Sequence, residues 1–94
     1  MIKLTEVQRQ TATALAKLAR DMPQKTFFMV EEVRYVRLQT LGKEEKNQIY
    51  LRTTRNALGQ LNSIVPSVVS SNAIGWKLTE VGKVMARSQL GIEV

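Results

Sequence analysis

The sequence contains neither cysteine nor histidine, and each absence excludes a class of chemistry. Without cysteine there is no disulfide framework and no thiolate metal site. Without histidine the chain lacks the commonest general base and the commonest metal ligand. We therefore expect no metal, no cofactor and no catalysis of the nucleophile–histidine kind.

Paired carboxylates are also poorly arranged for catalysis. The pairs Glu31–Glu32 and Glu44–Glu45 are each adjacent in sequence. Neighbouring residues on a helix diverge by about 100°, so neither pair converges naturally on a substrate. The sequence therefore predicts a protein that is not an enzyme.

Long apolar runs are missing as well. No segment approaches the roughly 20 apolar residues that a membrane-spanning helix needs. The first ten residues, MIKLTEVQRQ, lack the apolar centre of a signal peptide, so we expect a cytoplasmic protein. A chain of 94 residues is enough for a single domain, here residues 1–94, with a modest core.

Acidic residues are absent from the middle of the chain. The net charge is +6, and no Asp or Glu occurs between Lys46 and Thr79, whereas Arg52, Arg55 and Lys77 lie in that interval. A surface that is basic and free of acids favours a polyanionic partner.

End signals and apolar spacing predict the first two helices. Thr5 and Gln8 form a capping box, and Pro23 ends the first helix. A second helix is expected over residues 30–41, followed by Gly42. It carries more apolar residues than one stripe needs. We expect it to be broadly buried, Tyr35 included; the alternative is a flank that faces a protein partner.

A third helix is predicted to begin within residues 47–51 and to end at Ser63. Leu58 lies at the centre of the face expected to be buried. Gly59 lies in the helix interior, where glycine costs about 1 kcal/mol relative to alanine. It permits either close packing against another helix or close approach of a ligand. We expect close packing.

The side chains of the third helix that point away from the core are polar or basic. Arg52, Asn56 and Gln60 recur every four residues and form one row. Arginine can donate two hydrogen bonds to the edge of guanine, and Asn or Gln can pair with adenine. Thr53 and Ser63 flank the row and are candidate phosphate donors, as are Arg55 and Lys77.

The remaining segments are predicted to form a linker, a β-hairpin and a last helix. Residues 42–48 form a charged linker; Lys43 and Lys46 could contact phosphate, but Glu44 and Glu45 oppose that. Short strands are expected at 26–30, 65–70 and 76–78, with a turn at 70–75. Thr79 caps a last helix over residues 80–88, and residues 89–94 are expected to be a loose tail. The apolar residues expected to be buried in that helix are Val81, Val84 and Met85.

This order of elements resembles a winged helix-turn-helix, and two motifs resemble small repressors of the MarR and PadR kind. The third helix contains Thr54-x-x-x-Leu58-x-x-Leu61. The hairpin leads into Trp76-Lys77-Leu78-Thr79-x-x-Gly82-x-x-x-Ala86. The resemblance covers residues 5–86.

The resemblance implies a mostly α-helical α+β fold with a three-helix core, a β-hairpin wing and a C-terminal helix. It further implies a homodimeric transcription regulator that binds double-stranded DNA at the nucleoid, with the third helix in the major groove. The predicted DNA-binding residues are Arg52, Thr53, Arg55, Asn56, Gln60, Ser63, Asn72 and Lys77.

Two features depart from the family pattern. The wing tip, residues 70–73, carries no basic residue, so Asn72 offers only neutral hydrogen bonding. The long terminal helices of larger members are missing, so the dimer seam is expected on the first and last helices, at Leu18, Met85 or Leu90, and no small-molecule effector is supported. The alternative function is a winged-helix module that binds another protein and not DNA.

Overall fold

A computed structural model of the chain describes residues 2–41 and 48–94. Its elements follow in the order α1 (Glu6–Asp21), α2 (Val30–Leu41), α3 (Gln48–Ser63), β1 (Val69–Ser71), β2 (Trp76–Leu78) and α4 (Glu80–Met85), which continues into a π-helical extension (Ala86–Leu90). In the described part of the chain the fold is therefore α+β and mostly helical, with four α-helices and one antiparallel two-stranded hairpin. This order is compatible with a winged helix. No helix among these residues is long and apolar enough to cross a membrane.

Helix α1 begins with the capping box that the sequence predicts. The Thr5 Oγ1 accepts a hydrogen bond from the Gln8 N–H, and the Gln8 Oε1 accepts one from the Thr5 N–H. These contacts satisfy two backbone donors that the first helical turn leaves without partners. The helix ends at Asp21, just before Pro23.

The core lies where α1 packs against α2 and α3 and reaches the hairpin. Leu15, Val33, Leu58 and Leu61 are fully buried in it. The strand expected at residues 26–30 is reduced to a single bridge, in which Phe28 and Trp76 exchange two N–H···O bonds of 2.8 Å. This bridge ties the segment before α2 to the edge of the hairpin.

Strand β1 is shorter than predicted and starts later. The expected strand began at Val65, but that residue is 96% exposed. The Val68 N–H donates to the Leu61 carbonyl, and the Ser67 Oγ donates to the Asn62 carbonyl. Since residues 67 and 68 are bonded to the end of α3, pairing with β2 begins only at Val69, opposite Leu78.

Helix α4 buries a different face from the one predicted. Met85 is buried as expected, but Val81 and Val84 are exposed. Gly82 is buried, and a Cβ added there would lie 2.1 Å from the Val68 carbonyl oxygen. Because glycine allows the helix backbone to approach the chain at Val68, the Gly82 face turns inward and the two valines turn outward.

Helix α2 has the predicted bounds but not the predicted burial. Tyr35 is 63% exposed, whereas Arg37 is only 4% exposed. The interpretation of α2 as a broadly buried apolar helix is therefore wrong at Tyr35. The expected helix stop at Gly42 and the linker predictions for Lys43 and Lys46 lie outside the described residues.

The predicted loose tail is instead packed against the core. Ile92 is 5% exposed, and its N–H donates to the Ala86 carbonyl. Gly91 has a φ of 69°, a left-handed conformation that lets the chain turn back after the π-helical extension. Val94 packs against the same core and accepts a hydrogen bond from Arg87.

Candidate nucleic-acid interface

The outward face of α3 is the strongest candidate for a binding surface. Thr54, Ala57, Leu58 and Leu61 are buried, as predicted from the apolar spacing. The opposite face exposes Arg52 and Asn56, and the sequence of α3 contains no acidic residue. The face is thus polar, basic and free of carboxylates.

Gly59 lies at the centre of this outward face, and the packing predicted for it is wrong. A Cβ added at Gly59 would meet no atom within 4 Å. Arg52, Asn56, Gly59 and Ser63 are spaced by four, three and four residues, so they form one stripe, which we call the outer row. The glycine therefore leaves the helix backbone open to whatever approaches the outer row.

Ser63 closes the outer row with a hydroxyl that is bonded within its own helix. The Ser63 Oγ donates to the Gly59 carbonyl at 2.9 Å. The Ser63 oxygen can still accept a hydrogen bond, but the hydroxyl proton is already donated to the Gly59 carbonyl. A role as a phosphate donor would require this local bond to break.

Thr53 does not point freely outward as predicted. It is half-buried, and its Oγ1 accepts a hydrogen bond of 2.8 Å from the Arg37 Nη1. The same hydroxyl donates to the Tyr50 carbonyl at 3.3 Å. The Thr53 hydroxyl therefore helps to hold α3 against α2. Because that hydroxyl already has two partners, they argue against its predicted role as a phosphate donor.

Arg37 joins all three helices beneath the outer row. Its Nη1 also donates to the Thr54 Oγ1 at 3.0 Å, its Nε donates to the Gln10 Oε1 at 3.1 Å, and its Cζ lies 5.3 Å from the centre of the Tyr50 ring. Among the described residues no carboxylate lies within salt-bridge distance of it. Burial lowers the pKa of the Arg37 guanidinium, because desolvation disfavours its charge.

The sequence analysis did not identify Arg37, although a signal was present. It follows Val30 by seven residues and Val33 by four, so the helical pattern places it on the buried face. A charged residue at a core position of a helix needs hydrogen-bond partners. The threonine pair at 53–54 supplies them.

Gln60 lies beside the outer row and is tied to α1. Its Oε1 accepts a hydrogen bond of 2.9 Å from the Nε2 of Gln8, the residue that also completes the capping box. The amide is therefore held toward the start of α1. It extends the polar surface of Arg52 and Asn56 sideways and does not continue their stripe.

Arg55 and Asn72 lie on the same concavity between α3, the hairpin and the start of α2. The concavity has a volume of about 300 Å³, and Met29 and Ile74 also line it. The Asn72 Oδ1 accepts hydrogen bonds from the N–H groups of Ile74 (2.8 Å) and Gly75 (3.0 Å). Asn72 thus shapes the turn of the hairpin, a role its position in a turn-rich segment already indicates.

Lys77 lies apart from these residues. Its Nζ is 5.2 Å from the centre of the Phe27 ring, and it lines a larger cleft with Lys25 and Lys83. None of the α3 side chains that the structure describes lines that cleft. The structure therefore places Arg52, Asn56 and Ser63 on one stripe and Arg55 beside Asn72, but it does not bring Lys77 to either.

Comparisons of this chain with protein-family models, with curated proteins and with solved structures found no match.

Proposed function

We propose that this chain is a winged-helix protein that binds double-stranded DNA and regulates transcription as a repressor, with α3 in the major groove. The observation that carries the proposal is the outer row. It presents an arginine and an asparagine one turn apart on a helix face without acidic residues. Neither side chain is needed for the core, since both are exposed.

The dimensions of the two partners fit. An α-helix with its side chains is about 10–12 Å across, and the major groove is about 12 Å wide. A helix in that groove has its outward residues within reach of base edges. Arg52 can donate two hydrogen bonds to guanine, and Asn56 can pair with adenine.

Gly59 supports the same reading. Alanine at this helix position would be more stable by about 1 kcal/mol, and nothing in the described structure obstructs it. Packing does not explain this glycine. We therefore infer that a binding partner approaches the helix backbone at Gly59. When α3 lies in the major groove, the DNA comes close to the helix backbone at Gly59.

Phosphate contacts would come from cations outside the outer row. Arg55 extends from the flank of α3 toward the hairpin, and Lys77 lies on β2. Together they make about two contacts per subunit, so a dimer would show a slope of about −4 in log K against log salt. A slope flatter than about −2 would contradict DNA binding as the main function.

A homodimer is part of the proposal, and its seam is placed on the last helix, although two of the three residues expected at the seam are buried. Leu18 and Met85 are 6% and 2% exposed, so they are not available. The outward face of α4 offers Val84, with Glu80 one turn before it and Arg87 about one turn after it. When two such helices pair antiparallel about a two-fold axis at Val84, the acidic end of each faces the basic end of the other.

The test separates reading of bases from binding of phosphates. A duplex selected from a randomised pool is compared with a random duplex by fluorescence anisotropy. Asn56→Ala should cost about 1–3 kcal/mol on the selected duplex and little on the random one. Lys77→Ala should weaken both by similar factors and flatten the salt slope, because phosphate contacts carry no base information.

Two outcomes would overturn the assignment. If Asn56→Ala weakens both duplexes equally, the outer row does not read bases. If the wild-type protein binds no duplex at low salt, DNA binding itself is wrong.

A second candidate function is a protein-interaction module. It is favoured by the apolar side chains around the hairpin and α2, since Ile74 is 67% exposed, Tyr35 63% and Met29 50%. Met29 and Ile74 line one concavity, and exposed apolar groups that lie together in this way are typical of partner surfaces. A stable protein complex that is indifferent to heparin and to salt would favour this candidate over DNA binding.

A further inference from the structure

The cleft that contains Lys77 brings together cations from three parts of the chain. Lys25 comes from the segment after α1, Lys77 from β2 and Lys83 from α4. The cleft has a volume of about 560 Å³, within the range of small-ligand sites. Among the described residues, Glu80 and the last residue, Val94, also line it.

Hydroxyl groups lie among these cations. Ser70 is the direct cross-strand partner of Lys77, so their side chains share one face of the hairpin. Thr26 lines the same cleft next to Lys25. Neither the Thr26 nor the Ser70 hydroxyl has a hydrogen-bond partner among the described residues.

The existing partners of the lysines are weak competitors for a ligand. The Lys25 Nζ lies 2.6 Å from the Glu32 Oε2, and the Lys83 Nζ lies 3.4 Å from the Glu80 Oε2. The side chains of both lysines are about two-fifths exposed, and ion pairs in such positions contribute little and rearrange readily. Among the described residues Lys77 has no carboxylate within salt-bridge distance and only the Phe27 ring beneath it.

We propose that this cleft binds a phosphoryl group between Lys25, Lys77 and Lys83, with the Thr26 and Ser70 hydroxyls as further donors. A phosphate monoester carries a charge near −2 and three acceptor oxygens, so it can use several ammonium groups at once. A single carboxylate has fewer acceptor positions and half the charge. The apolar wall formed by Ala19, Pro23 and Leu78 leaves room for the body of a phosphorylated compound.

The phosphoryl group has two possible sources, the backbone of bound DNA or a free phosphorylated compound. The cleft is formed by residues outside α3, since no α3 side chain in the described part of the chain lines it. It can therefore exist whether or not the protein binds DNA. The probe in the first measurement is inorganic phosphate alone.

The ¹⁵N-labelled protein is titrated with inorganic phosphate at an ionic strength held constant with sodium chloride. Saturable shifts of the Thr26, Ser70 and Lys77 amides are expected. The double variant Lys25→Gln/Lys83→Gln should raise the half-saturating phosphate concentration by about tenfold or more, since it removes two charged donors. The matched control, Lys3→Gln/Lys17→Gln, removes the same charge away from the cleft and should leave the midpoint unchanged.

The same titration contains the result that would overturn the site. Shifts that do not saturate, or midpoints that move equally in both double variants, would show only general attraction of phosphate to a basic protein. If the double variant does not fold, Lys83→Gln alone carries the comparison against Lys17→Gln.

A second measurement distinguishes the sources. If a saturating duplex abolishes the phosphate-induced shifts, the cleft holds a phosphate of the DNA backbone. If the shifts persist on the complex, the ligand is a free phosphorylated compound. A protein that binds phosphate in the cleft but no duplex would refute the proposed function and leave this site standing.

Discussion

Helices α3 and α4 each contain an interior glycine, and the two glycines have opposite surroundings. A Cβ at Gly59 of α3 would meet nothing within 4 Å, whereas one at Gly82 of α4 would lie 2.1 Å from the Val68 carbonyl oxygen. The first opens the helix backbone toward solvent, and the second brings the helix backbone against another segment of the chain. A glycine in a helical segment of a sequence therefore indicates that something comes close to the helix backbone. The sequence does not tell whether this is another part of the same chain or a binding partner.

The inner sides of the two helices are held by different means. Helix α3 rests on Arg37, whose guanidinium bonds to Thr53 and Thr54, and on buried leucines. Helix α4 rests on Gly82 and Met85. The outer sides also differ, since α3 exposes the outer row and α4 exposes Val81 and Val84. One substitution on each side of each helix tests this contrast.

The largest effect is expected at the inner side of α4. Gly82→Ala should lower the free energy of unfolding by about 3 kcal/mol, because the added methyl group collides with a backbone carbonyl that cannot turn aside like a flexible side chain. Urea denaturation measures the loss. The matched control is Gly59→Ala, the same change where space is open. Equal stability of the two variants would refute the close packing at Gly82.

At the inner side of α3, Arg37→Met should lower the free energy of unfolding by about 2 kcal/mol. It removes three charge-assisted hydrogen bonds, but the loss is less than their sum because the buried charge itself is costly. Thermal and urea unfolding provide the measurement. Arg52→Met, an exposed arginine on the outer row, should change stability by less than about 0.5 kcal/mol. No difference between the two arginines would mean that the buried network does not hold α3.

The outer side of α3 should respond in the opposite direction. Gly59→Ala should raise the free energy of unfolding by about 0.5–1 kcal/mol, since alanine favours the helix and meets no neighbour. On the proposal that DNA approaches this point, the same variant should bind the selected duplex more weakly. If Gly59→Ala is more stable and binds the selected duplex as tightly as the wild-type protein, Gly59 does not lie at the interface with DNA.

The smallest effect is expected at the outer side of α4. Val84 is 56% exposed, so Val84→Thr should change the free energy of unfolding by less than about 0.5 kcal/mol. Val33→Thr, which places a hydroxyl in the fully buried core, should cost about 1–3 kcal/mol. Sedimentation of Val84→Thr also tests the proposed seam, which predicts weaker self-association. Unchanged association would place the seam elsewhere.

Local signals predicted the positions of the helices and of β2 well. The capping residues Thr5 and Thr79 start their helices as expected, and α2 and β2 have the predicted bounds. The buried face of α3 was also predicted, because its leucines repeat at one clear helical spacing. These features depend on residues within a few positions of one another, so the sequence alone carries them.

The candidate site was predicted only in part. Arg52, Asn56 and Ser63 share the outward stripe, because helical periodicity sets which side chains lie together. Thr53 was assigned by the same periodicity and Lys77 by its place in the acid-free interval. The structure shows that Thr53 is hydrogen-bonded to Arg37 and that Lys77 lines a separate cleft. Such contacts join residues distant in sequence, and no local pattern contains them.

The sequence by itself determined where the helices, the hairpin turn and β2 lie, since capping, periodicity and turn chemistry act between near neighbours. Only the tertiary structure decided which face of α4 is buried, that Ile92 packs into the core, and that the space around Gly59 is open. Each of these depends on how closely two backbones approach across the fold. That distance is set by the whole packed core and not by any single segment.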